Sequence, residues 1–143
     1  MSSHLVMQNI EALSSPGGHY SHVVTANNMS FISGLLPLDK NGVPLTDKPI
    51  EFQINQVLEN LNACLIGIKA QKTDIAQVKM YITDINEWPV VNELYAKWIG
   101  EHKPARLVAG VKELHFGSKI EIEAMVIKEQ TFYITVIHKI AKR

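Results

Sequence analysis

Apolar and polar positions alternate most regularly in the last third of the chain. In Ala105-Arg106-Leu107-Val108-Ala109-Gly110-Val111, Arg106, Val108 and Gly110 share one face, and Leu107, Ala109 and Val111 the other. In Ile120-Glu121-Ile122-Glu123-Ala124-Met125-Val126-Ile127, the isoleucines, Ala124 and Val126 oppose Glu121, Glu123, Met125 and Ile127. Period two predicts a β-strand in each run. Arg106 follows Pro104 closely, at the opening of its strand, where a side chain can reach out of the sheet. Glu121 lies near the start of the second strand. A guanidinium and a carboxylate at strand ends of one sheet fit a polar site for a small anionic substrate. They also fit a cross-strand ion pair or solvated edge charges.

Upstream, residues 5–10 read as a first strand, and Ser14-Ser15-Pro16-Gly17-Gly18 as a loop. Two β-prone runs, 22–26 and 29–33, flank Asn27-Asn28, which predicts a hairpin. Residues 36–49 read as a surface loop. Pro49 then opens a helix whose apolar stripe is Ile54, Val57, Leu58, Leu61, Leu65 and Ile68, with Gln56, Glu59, Asn60 and Asn62 outside it. Cys64 borders that stripe. Residues 78–83 alternate as a strand. Asn86 and Pro89 open a second helix with Val91, Leu94, Tyr95 and Trp98 buried, and Gly100 closes it.

The predicted order is β-β-β-α-β-α-β-β, an α+β arrangement with a mixed sheet and both helices on one face. The opposite face then carries Met125, Ile127 and part of the hairpin. An apolar surface of that kind usually marks an interface, so oligomerisation through it is expected.

Composition narrows the function classes. The chain has 143 residues, 46% hydrophobic and 20% charged, with fourteen basic and fourteen acidic side chains. Zero formal charge argues against bulk electrostatic binding of nucleic acid. A single cysteine permits no internal disulfide and suits a reducing, cytoplasmic setting. No signal peptide and no membrane-length apolar run are read. The six histidines are dispersed; only His19 and His22 are close, and they lack an obvious third ligand, so no metal is expected. There is no Gly-rich phosphate loop and no nucleophile elbow.

Lys103-Pro104-Ala105-Arg106, followed by Lys119-Ile120-Glu121-Ile122-Glu123-Ala124, resembles the closing signature of the YjgF/RidA family. These are the reactive enamine/imine deaminases, also labelled L-PSP endoribonucleases or translation inhibitors. Tyr20-Ser21-His22, Phe31-Ile32-Ser33-Gly34, Gln56-Val57-Leu58-Glu59-Asn60-Leu61 and Val91-Asn92-Glu93-Leu94-Tyr95 extend the resemblance over roughly residues 5–128, in order. It implies one domain over residues 1–129, with a chorismate-mutase-like fold assembled as a homotrimer and sites between subunits. Residues 130–143, a strand-like run and a basic tail, form an extension of unassigned role.

The resemblance also implies an activity: hydrolysis of small carboxylate-bearing enamines and imines to 2-oxo acids and ammonia, with no cofactor. Arg106 matches the family's carboxylate anchor, and Glu121 the glutamate that helps place water. Tyr20 matches a pocket wall, Ser33 a hydroxyl near the substrate, and Asn92 an amide shaping the cleft; Gly34 would allow close backbone approach. Read alone, Tyr20 is a loop aromatic, Ser33 a strand polar residue and Asn92 a helix surface residue. Many members have proline at His19, glutamine at Leu35 and cysteine at Val108. The leucine removes a polar pocket element and bears on which side chain the substrate carries. A regulatory trimer that senses 2-oxo acids, or a ribonuclease, is the rival class.

Overall fold

The computed structural model describes residues 4–129; the 130–143 extension lies outside the described residues. The chain runs β1 (Leu5–Gln8), β2 (Val23–Ala26), β3 (Met29–Leu35), α1 (Ile50–Gly67), β4 (Ile75–Ile82), α2 (Trp88–Ile99), β5 (Ala105–Gly110) and β6 (Ile120–Ile127), which is the expected α+β order. The strands form one six-stranded sheet, β1-β2-β3-β6-β4-β5. Neighbours are antiparallel except β4 and β5, a parallel pair joined through α2 as such pairs require. The two closing strands are therefore not partners: β4 lies between them.

Local chemistry sets the boundaries. Ala26 faces Met29 across the Asn27-Asn28 turn, where Asn27 takes φ 56°, a left-handed value asparagine tolerates. Pro49 stands just before α1, and its fixed φ suits the helix entry. The Asp84 side chain accepts from the Asn86 amide, starting a 3-10 turn that runs into α2, and Gly100 ends that helix with φ 75°.

Both helices pack on one face of the sheet. Val23, Ile32, Val78, Met80, Ile82, Ile120, Ile122 and Val126 join the apolar stripes of α1 and α2 in a single core. Two polar side chains of α1 are buried as well, and one of them, Asn60, had been expected outside the stripe. Asn60 Nδ2 donates to the carbonyls of Leu36 and Leu38, and Gln53 donates to the Lys48 carbonyl while accepting from the Lys119 amide. These amides fasten loops to the helix, so their burial leaves their hydrogen bonds satisfied. Cys64 sits within the core rather than at its border, and burial pushes its thiol pKa up to about 12.

The other face is uncovered in the single chain. Register aligns Met7, Val24, Phe31 and Met125 in one row across β1, β2, β3 and β6. Phe31 is 45% exposed and Met7 67%. Among the described residues no helix is long and apolar enough to cross a membrane.

Candidate functional site

Arg106 stands at the sheet edge, opposite Val78 of β4. Val78 is in the core, so its neighbour in register points to the helix side, toward α2. There Trp88, Asn92 and Tyr95 follow one another at helical spacing and share a face. The Arg106 Nη1 donates to Asn92 Oδ1 at 2.7 Å. The guanidinium carbon lies 5.3 Å from the Tyr95 ring centre and 5.6 Å from that of Trp88, within cation–π range. Burial raises the Tyr95 pKa, and the Arg106 charge opposes the rise. Among the described residues no carboxylate is paired with Arg106; the ion pair found there is Lys97 with Glu93. The guanidinium opens into a cavity of about 420 Å³ that His102 and Lys103 also line.

Glu121 belongs to the opposite face. Its neighbours Ile120 and Ile122 are fully buried, so the alternation of β6 turns Glu121 and Glu123 away from the helices. Across from them β3 carries a bulge: Ile32 faces Ala124 and Leu35 faces Ile122, leaving Ser33 and Gly34 opposite Glu123. The extra residue breaks the period and returns Leu35 to the core. It also explains Gly34, where a Cβ would lie 2.6 Å from Glu121 Oε2. The Ser33 hydroxyl donates to the Ser21 carbonyl at 2.6 Å, and the Ser33 amide to the His22 carbonyl. His22 is itself buried and structural: its Nδ1 accepts from the Ile10 amide at 2.9 Å, and burial lowers its pKa.

These residues open into a cleft of about 930 Å³ lined by Tyr20, Ser33, Gly34, Glu121 and Glu123 together with the loop residues His115 and Phe116. Burial raises the Glu121 pKa; the Glu123 charge adds to the rise and His115 opposes it. Glu123 accepts from the Tyr81 hydroxyl at 3.0 Å, a bond that leads the rise of the Tyr81 pKa.

The structure thus brings the expected residues together in two groups. Arg106 and Asn92 meet at the β5 edge; Tyr20, Ser33, Gly34 and Glu121 meet across the sheet. Within one chain Arg106 and Glu121 do not form a common site, and the opposite faces also remove the cross-strand ion pair. Leu35 is buried and Val108 packs against the core, so these two family departures are occupied in packing. Trp88, His115 and Phe116 were missed by sequence reading. A signal existed for Trp88, four residues before Asn92 on the same helix.

The family model described as endoribonuclease L-PSP matches residues 9–128. A RutC family protein of Pyrococcus horikoshii is 39% identical over 114 residues, covering 80% of this chain and 90% of the relative. The human 2-iminobutanoate/2-iminopropanoate deaminase is 30% identical over 128 residues, covering 88% and 93%. Among solved structures, that of E. coli TdcF with bound serine superposes with a TM-score of 0.80 at 27% identity, covering 87% of this chain and 99% of TdcF.

Proposed function

The chain belongs to the endoribonuclease L-PSP family, and on that premise we propose that it is a cytoplasmic hydrolytic deaminase of carboxylate-bearing imines and enamines. The observation that carries this reading is the state of Arg106: a guanidinium oriented by one amide and two rings, with no carboxylate of the described chain upon it. A planar fork held by neutral contacts keeps its charge and remaining donors for a substrate carboxylate. The human relative is named for imine deamination, and the TdcF structure holds serine, a small molecule with a carboxylate of this kind.

In the reaction, an enamine such as 2-aminoacrylate first takes a proton on carbon to become the imine. Water then adds to the imine carbon, forming a C–O bond, and the C–N bond breaks. Nitrogen leaves as ammonia with protons that water supplied, and a 2-oxo acid remains. Glu121 is the group suited to orienting that water and accepting its proton. Because Arg106 and Glu121 face opposite ways, the complete site is proposed to form between copies, Arg106 of one meeting the Glu121 cleft of the next in a homotrimer. The uncovered row of Met7, Val24, Phe31 and Met125 supports such an assembly.

The test generates 2-aminoacrylate in place from serine with a pyridoxal dehydratase and follows 2-oxo acid release, with RNA cleavage assayed on the same preparation. Acceleration of enamine hydrolysis by a trimer is expected. Binding of 2-oxo acids without turnover would favour the sensor, and RNA cleavage alone the ribonuclease.

A further inference from the structure

We propose that the cleft beside Glu121 seats an aromatic or large aliphatic side chain, so that the preferred substrates are 2-imino acids of bulky apolar amino acids. This inference rests on the deaminase reading and goes beyond it by naming the substrate class. The first observation is size. The half of the site that this chain supplies measures about 930 Å³ before a second copy closes on it, ample room beside a three-carbon enamine. The second is its lining. Beside the polar groups of Ser33, Glu121 and Glu123 it is lined by Tyr20, Leu36, Leu38 and Phe116.

Phe116 is the most telling of these. It is 51% exposed, and its backbone sits at φ 63°, ψ 13°, a left-handed conformation that is unfavourable for a bulky side chain. Gly117 beside it also has positive φ, so the loop contains a glycine yet places a phenyl ring at the strained position. The His115 ring lies 3.7 Å from it, centre to centre, which extends the ring surface. Within the single chain a ring at a position better suited to glycine or asparagine gains little for folding, and it gives the cleft a flat apolar wall. A cationic side chain is served less well. Glu121 is reserved for water in the proposed reaction, and one Glu123 oxygen is held by the Tyr81 hydroxyl, which leaves its second oxygen as the competing attraction that the arginine-derived imine tests.

The chemistry is unchanged: water adds at the imine carbon, the C–N bond breaks, and a 2-oxo acid and ammonia leave. The experiment compares kcat/KM for 2-aminoacrylate with that for imines generated from phenylalanine, leucine and arginine by an L-amino acid oxidase with catalase present. The protein is expected to favour the phenylalanine-derived imine over 2-aminoacrylate by about tenfold or more, the discrimination apolar pockets commonly give. Phe116→Gly, which the positive φ accommodates, is expected to lower that ratio about tenfold. Phe116→Asn serves as the second variant, and the melting temperature and assembly state of each are checked against the parent's. Preference for 2-aminoacrylate or the arginine-derived imine overturns the side-chain seat and leaves the deaminase reading standing. So does an unchanged ratio in both variants. Absence of acceleration with every imine overturns the deaminase reading itself, and this inference with it.

Discussion

Around Arg106 the chain closes in, and around Glu121 it draws back. At the β5 edge, α2 supplies an amide and two aromatic rings to a group that never loses its charge. Across the sheet, a bulge and a glycine clear space for a carboxylate whose ionisation is held back by burial. A permanent cation can be fixed by neutral contacts and stay available for a ligand. A titratable base is useful when its proton affinity is adjusted, and that calls for partial burial and a neighbouring charge.

Removing the fixed charge should have the largest effect. Arg106→Ala is expected to lower deamination on the order of a hundredfold or more, since losing a hydrogen-bonded charge contact in a partly desolvated site typically costs about 2–5 kcal/mol. Arg106→Lys should lose much of the activity as well, because a point charge cannot reproduce two-point binding. A thermal melt of each variant should fall only slightly, since this exposed side chain gives up one hydrogen bond and two ring contacts rather than an ion pair. An Arg106→Ala protein with parental turnover would sink the carboxylate anchor.

The next test asks whether the two ends belong to different copies. Arg106→Ala and Glu121→Gln proteins, each inactive alone, should regain activity when unfolded together and refolded. Every mixed ring of three then holds one intact site, and an equal mixture returns about a quarter of the parental turnover by symmetry. No recovery, with mixed trimers verified by mass, would place the site within one chain or elsewhere.

A smaller effect concerns proton affinity. Glu121 orients water as the carboxylate, so kcat/KM should rise with pH through a value above the usual carboxylate range of about 4.3. Burial comes first in that rise and the Glu123 charge second. Glu123→Gln should therefore move the acid limb to lower pH. His115→Asn should move it the other way, because His115 opposes the rise. The pH profiles of the three proteins check both signs. Least affected should be Cys64→Ala, with turnover near the parent's and a loss of about 1 kcal/mol in stability from the small void. Loss of activity with assembly intact would reveal a nucleophile the geometry gives no hint of.

Element order, the Asn27-Asn28 hairpin and the α1 stripe were all legible in sequence, because each rests on local periodicity or turn chemistry. The facing of Arg106 was not. Both faces of β5 carry apolar side chains, Leu107 and Ala109 on one and Val108 on the other, so alternation alone does not say which points inward. The answer comes from pairing with β4, a long-range choice. Asn60 was misplaced for a related reason: a helical amide reads as solvated until a loop carbonyl is found above it. The bulge at Ser33 and Gly34 adds a residue that no period-two template anticipates. Phe116 was hidden in a link whose conformation only the folded loop defines.

The chain's one thiol is also a clock. The thiolate is the form that attacks an alkylating reagent, and Cys64 is both enclosed and held to a pKa of about 12. Reagent therefore reaches it only when the helix layer lifts from the sheet, so labelling at saturating reagent counts core openings directly. With no engineered probe, the same measurement made with and without a 2-oxo acid would report how strongly an occupied site braces the fold.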